Sequence, residues 1–395
     1  MSGMQELISE FEVIKAWLFE AALPLWSTTA VDFEKGGFFE RLAIDGSVIE
    51  EPRRARVTGR QIYAFAIAER LGWAGPTRDL IRHGLVSLER FIGPKGFVIR
   101  LLDAEGRVLD DAFDLYDHAF ILFGLAAAAG VGEQPAHLEG VAEALRGRIQ
   151  AEFAHPKAGF EEGNPRILPL KANPHMHMLE ACLAWEAISD DPAWGALADE
   201  IAELCLSSFI EPVTGALREY FDGDWRRVET APDDVVEPGH QFEWAWLLMR
   251  WGRSRGRHDA VAAGVRLILV GEGPGVDAAR GLALNELNGD LTVRDTLCRL
   301  WPQTERIKAH CLAMTEARSE AAAAHAAERA AVAIRGLRRY FEHPVPGAWH
   351  EHIGPDGRPL EAPSRTSSLY HIICAINEVA DQLGVAMAPP RLRVS

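Results

Sequence analysis

The chain has 395 residues, enough to bury a large core, and 48% of them are hydrophobic. A formal net charge of -16 with no compensating basic stripe argues against a nucleic-acid partner, and no apolar run reaches the length needed to span a membrane. Cys182, Cys205, Cys298, Cys311 and Cys374 are scattered, odd in number and without a CxxC pair, and residues 1–5 lead into no signal-peptide core; this pattern predicts reduced thiols in a cytoplasmic protein and no structural zinc.

In chain order, residues 4–23 carry an amphipathic helical pattern, and 36–46 read as a hairpin turning at Asp45-Gly46. Residues 57–71 (VTGRQIYAFAIAERL) are apolar almost all round, which predicts a buried helix. The same order then recurs. An outer helix over 78–91 precedes a hairpin over 96–108 and a buried helix over 116–129. The third block runs 137–153, an extended 159–170, and 175–188; the fourth runs 192–209, a hairpin over 215–228 turning at Asp222-Gly223, and a buried helix from His240. The fifth has 260–270, a hairpin over 281–293 turning at Asn288-Gly289, and 302–314. The sixth has an alanine-rich helix over 319–340, a hairpin over 347–360 turning at Asp356-Gly357, and 367–379.

The unit is therefore outer helix, hairpin, inner helix, roughly 60 residues long and repeated six times. Inner helices that are apolar all round need covering by outer helices that are apolar on one side. Six such pairs can close into an all-α (α/α)6 barrel, a toroid with short β-hairpins at one mouth. An open solenoid would need polar caps on its end repeats, and neither terminal helix has that character. No linker separates the blocks, so a single domain is expected over residues 1–395.

Polar residues keep the same period. Arg60, His118, His177, His240, Glu305 and His371 stand near the starts of successive inner helices, separated by 58, 59, 63, 65 and 66 residues. In a closed ring they would surround one cavity, with helix N-termini favouring developing negative charge. Two stretches repeat one form: Pro238-Gly239-His240-Gln241-Phe242-Glu243 and Asn173-Pro174-His175-Met176-His177-Met178-Leu179-Glu180, each placing His-x-x-Glu on one face of a helix start. His175 and His177 lie about 200° apart around a helix, so they cannot share one metal ion, and no metal site is expected.

Each residue has a bland alternative. His118 follows Asp114, Tyr116 and Asp117, and either ties that loop or meets substrate. Glu180 and Glu243 bind hydroxyls or are simply favourable acids in a first helical turn. Arg60 inside an apolar run requires an anionic or polar partner. Glu305 after Trp301-Pro302-Gln303 competes with capping, and Ser367-Ser368 before His371 can cap too. Trp244, Trp246 and Trp251 read as core, whereas Trp349 and Phe38 are expected to line the mouth, where aromatic faces pack on sugars. Histidine pairs suit proton transfer, and an arginine nearby steadies an oxyanion, which fits proton abstraction next to a carbonyl through an enediol. No nucleophilic serine or cysteine and no Gly-rich phosphate loop is evident.

The stretches RVTGRQIYAFA, DLYDHAFILFGLAAA, NPHMHMLEA, EPGHQFEWAWLL, WPQTE and SSLYHI, in that order, resemble the N-acylglucosamine 2-epimerase family, whose superfamily includes mannose isomerases, sulfoquinovose isomerase and cellobiose 2-epimerases. The resemblance runs over nearly the whole chain. It implies an (α/α)6 barrel and metal-independent, cofactor-free chemistry on an open-chain sugar. By motif match it makes His240 and His371 the acid/base pair, with Arg60, His177, Glu180 and Glu243 holding hydroxyls and polarising the carbonyl. Tyr116, His118, Glu305, Trp301 and Trp349 complete the expected substrate site. MHMLE looks closer to the isomerase and cellobiose-epimerase branches, so the expected activity is aldose–ketose isomerisation of mannose or a similar hexose, with 2-epimerisation as the alternative. The expected partner is a free hexose, with a sugar phosphate kept open by Arg53, Arg54, Arg56 and Arg365 beside two of the motifs; a monomer or homodimer is expected. A glycoside hydrolase would need two carboxylates across the cavity, which Glu180, Glu243 and Glu305 could supply, but would leave the histidines surplus. A sugar-binding protein without turnover is the remaining alternative, and hydrogen exchange into C2 of mannose would exclude it.

Overall fold

The structure, a computed structural model, describes residues 3–230 and 232–385; the ends of the domain expected over residues 1–395 lie outside them. Twelve principal helices alternate between outer and inner positions. The outer ones are α1 (Gly3–Trp17), α3 (Thr77–Glu89), α5 (Pro135–Phe153), α7 (Pro192–Leu204), α9 (His258–Glu272) and α11 (Glu320–Arg338). The inner ones are α2 (Ala55–Arg70), α4 (Leu115–Gly130), α6 (Ala172–Glu186), α8 (Pro238–Arg255), α10 (Leu300–Thr315) and α12 (Ser368–Gln382). Burial separates the two sets as the sequence predicts. Outer α1 buries Leu7, Phe11 and Ile14, one stripe at helical spacing, while inner α2 buries almost every residue from Ala55 to Ala68. The inner helices α2, α6, α8 and α10 begin two or three residues before the expected starts, and in the last three Pro174, Pro238 and Pro302 sit inside the first turn, where a missing N–H costs nothing.

By their contacts the described residues divide into two compact units: residues 3–22, 205–364 (231 apart) and 371–385 form the first, and Leu23–Leu204 with Arg365–Tyr370 falls in the second. In the second unit α2 packs on α3 and α4, and α4 on α5 and α6, with α7 against α6. The α2–α4 crossing is tight: a Cβ on Gly59 would lie 2.2 Å from the Phe120 carbonyl oxygen, so only glycine permits it. In the first unit α8 packs on α9 and α10, α10 on α11, and α11 on α1.

A recurring stitch joins successive repeats in three places. The segment entering an inner helix pairs antiparallel with the following hairpin: Arg53–Arg54 with Leu101–Leu102, Val235–Val236 with Leu287 and Asn288, and Cys298–Arg299 with His352–Ile353. A second recurring device ties four inner helices, α4, α6, α8 and α10, to their own hairpins. His118 Nε2 accepts from Val98 N–H at 3.0 Å while its Nδ1 lies 2.7 Å from Asp114 O; His175 does the same with Phe160 N–H and Lys171 O. Gln241 brackets Leu217, accepting from its N–H and donating to its carbonyl, and Gln303 brackets Ala283. The turns of the fourth and fifth hairpins differ from expectation. Their left-handed residues are Trp225 (φ 64) and Leu291 (φ 67), not the nearby glycines.

All five cysteines are buried, and no disulfide occurs among the described residues. No helix among them is long and apolar enough to cross a membrane.

Candidate active site

In the first unit, His240 and His371 meet the same aromatic ring. The Trp301 ring centroid is 5.1 Å from that of His240 and 5.8 Å from that of His371. The sequence around α8 explains the seat: a Cβ on Gly239 would fall 2.3 Å from the Trp301 ring, so glycine before His240 is what lets the indole lie there. His240 follows on the first turn of α8, and Glu243 is buried one turn further on.

The two imidazoles are held by different carboxylates. His240 Nδ1 lies 2.9 Å from Glu219 Oε2, on the hairpin just ahead of the strand Tyr220–Phe221, and 3.8 Å from Glu237 Oε1. Burial alone would lower its pKa, but Glu219 and Glu237, with Glu243 behind them, outweigh that and raise it to about 10. His240 is thus an imidazolium at neutral pH. Glu237, itself buried, is raised by loss of solvent. Glu219, Glu237 and His240 bring ligand atoms within 4.8 Å of one another and, among the described residues of this unit, form a group that could hold a cation. His371 Nδ1 lies 2.9 Å from Glu305 Oε1, and Glu305 Oε2 is 2.6 Å from Lys308 Nζ. In both rings Nδ1 is committed to a carboxylate, which makes Nε2 the nitrogen for proton exchange.

The second unit also holds a polar cluster. Arg60 Nη2 donates to Tyr116 Oη at 2.6 Å, and its guanidinium lies 4.0 Å from the Phe120 ring centroid and 5.1 Å from that of Tyr370. His177 packs on the same two partners, 4.5 Å from Phe120 and edge-on to Tyr116 at 4.8 Å. Its Nδ1 is 3.4 Å from Glu180 Oε2, which also accepts from Tyr370 Oη at 2.5 Å. Arg60, Tyr116, His177 and Glu180 are therefore one constellation.

Three expected substrate contacts are turned to other partners. His118 uses both ring nitrogens on backbone groups, and burial pushes its pKa down to about 4, so it is a neutral tie with no nitrogen left for a sugar. Trp349 is fully buried, donates from Nε1 to Glu351 Oε1 at 2.9 Å and sits edge-on to Trp17; it is core, as is Phe38 against Phe65. Glu305 is fully buried with its oxygens committed to His371 and Lys308, so it holds a histidine instead of a sugar hydroxyl. The basic cluster is largely neutralised: Arg53 pairs with Asp32, Arg54 with Glu40 and Arg56 with Asp117. Glu219, Lys308, Phe120 and Tyr370 were not singled out from the sequence. A buried charge three residues after Glu305 was a usable signal for Lys308; Glu219 had none, because its partner is 21 residues away.

The fold is that of known sugar-active toroids. A cellobiose 2-epimerase from Bacillus thermoamylovorans B4167 superposes with a TM-score of 0.82 at 19% identity, over 94% of this chain and 98% of that one. The likeness shows the fold to be an (α/α)6 barrel. The profile of the N-acylglucosamine 2-epimerase family (GlcNAc 2-epimerase) matches residues 37–375, and the chain belongs to that family. It is an enzyme of sugar isomerisation or epimerisation. A mannose-6-phosphate isomerase of Rhizobium meliloti (strain 1021) is 44% identical over 94% of this chain and 96% of its own length. A D-mannose isomerase of Thermobifida fusca is 30% identical over 60% of this chain and 61% of its own.

Proposed function

We propose that the protein is an aldose–ketose isomerase acting on the open chain of a mannose-configured sugar, with His371 as base and His240 as acid. The observation that carries this division is that His240 Nδ1 stands 2.9 Å from Glu219 and 3.8 Å from Glu237, which favour its charged form, beside the same indole that His371 touches. His371 Nε2 takes the proton from C2 while the His240 imidazolium gives one to the carbonyl oxygen at C1, forming the enediol. His371 then returns its proton to C1, and His240 recovers one from the C2 hydroxyl, leaving the ketose. Arg60, Tyr116, His177, Glu180 and Glu243 are assigned to hydroxyl and oxyanion contacts. The sequence alone favoured a free hexose. The 44% relative shifts the proposed substrate to mannose 6-phosphate.

The test is a panel of free and 6-phosphorylated aldoses in deuterated water, with products read by NMR. Isomerisation yields ketose labelled at C1. Label at C2 of a glucose-configured product gives epimerisation, the second reading, favoured by the family's name. No exchange into any substrate removes the proposal, and faster turnover of free mannose removes the phosphate.

A further inference from the structure

We propose that Lys308 is a positioning residue that sets the proton affinity of His371 through Glu305; the inference rests on the role given to His371 above. Lys308 lies on α10 one turn beyond Glu305, and both side chains are completely buried. Its Nζ is 2.6 Å from one oxygen of Glu305, and the other oxygen is 2.9 Å from His371 Nδ1. One carboxylate is thus shared between an ammonium and an imidazole. The same ammonium lies 3.9 Å from the ring centroid of Trp246 on α8, and Trp246 Nε1 donates to Glu378 Oε2 at 3.0 Å. Glu378 is on α12, two turns from His371, so the chain of contacts ends on the helix where it began and ties α8, α10 and α12 together.

The physical reason for a lysine here is the protonation state a base requires. A buried carboxylate on Nδ1 orients the ring and also pulls a second proton onto it. His371 must be neutral to accept the C2 proton. An ammonium on the far oxygen offsets the carboxylate's charge, so that Glu305 can orient the ring without over-stabilising the imidazolium. The charged groups in this chain of contacts are Glu305 and Lys308 on α10 and Glu378 on α12 itself. The contacts around His240 run the other way, with Glu219, Glu237 and Glu243 all favouring its charge.

The experiment is the pH profile of kcat/KM with mannose 6-phosphate for the wild type, Lys308→Met, Lys308→Gln, Lys308→Arg and Glu305→Gln. Loss of the ammonium should move the acid limb up by about one to three pH units. Activity at the foot of the limb then falls tenfold or more and recovers at higher pH. Lys308→Arg should keep the wild-type limb, and Glu305→Gln should move it down. A neutral Lys308 variant that loses melting temperature or scales kcat equally at every pH, with the limb unmoved, overturns the proposal; if both neutral variants fail to fold, an unmoved limb in Glu305→Gln does so. If the wild type turns over neither mannose nor its 6-phosphate, the functional reading fails, and the inference is decided by the 15N titration of His371 in the same variants. Shifts in the stated directions then uphold it, and an unshifted ring overturns it.

Discussion

His240 and His371 touch one indole and differ in what stands behind them. His240 has Glu219 and Glu237 at its Nδ1 side and a pKa raised to about 10. His371 Nδ1 meets the Glu305 carboxylate, which is shared with a buried lysine. In the proposed mechanism, two imidazoles on two inner helices become an acid and a base by the company each keeps, the separation of proton affinities that general acid–base chemistry requires.

The largest effect expected is on the pair itself. His240→Ala and His371→Ala should each cut turnover by about 10²–10⁴-fold, with the circular-dichroism melt retained. Wild-type turnover in either variant removes that histidine from the mechanism. Arg60→Ala removes a buried charge that meets Tyr116, Phe120 and Tyr370, and should lower kcat/KM by about 10–100-fold, the worth of one charge-assisted hydrogen bond; steady-state kinetics that match the wild type would make Arg60 structural only.

Glu219→Gln sharpens the comparison from the acid side. It should move the alkaline limb of kcat/KM down by about one to three units. The same change has a stability signature with a definite sign. Because His240 is raised from 6.5 to about 10 in the fold, its contribution is fully present below pH 6.5 and is lost as pH rises through about 10. Chemical denaturation between those values should show a decline in the wild type that flattens in Glu219→Gln; identical slopes would contradict the charge assigned to His240.

The smallest effect concerns a histidine placed outside this chemistry. Glutamine fills the same helix-to-hairpin tie at Gln241 and Gln303, so His118→Gln should be nearly neutral in stability and in KM. His118→Leu leaves the Val98 N–H unpaired and should cost about 1–3 kcal/mol in denaturant titration, again with KM unchanged. A raised KM in either variant would return His118 to the sugar site.

Much of this was legible in the sequence because burial imposes a period that residues cannot hide. Inner helices such as α2 need apolar residues all round, outer helices such as α1 need a stripe, and the alternation names the fold. The period also placed His240, His371, Arg60 and His177 at inner-helix starts. It could not say which of two registers a residue occupied. The tie at His118, His175, Gln241 and Gln303 recurs at the same spacing as the site, one or two residues away, so His118 was read into the wrong set. Trp349 failed for a different reason: its indole N–H finds Glu351 and its ring finds Trp17, a partner more than 300 residues earlier in the chain. Glu219 is invisible as a site residue because its meaning lies in a histidine across a hairpin, whereas Lys308 shows only as a charge three residues after Glu305 and acts through that carboxylate.

The division of labour between the two rings is tested most directly by 15N NMR of the histidine side chains in the wild-type enzyme between pH 6 and 10. Both nitrogens of His240 should report a protonated ring across neutral pH, losing the proton only near pH 10. A His240 that titrates near the ordinary histidine value of about 6.5 would contradict the account.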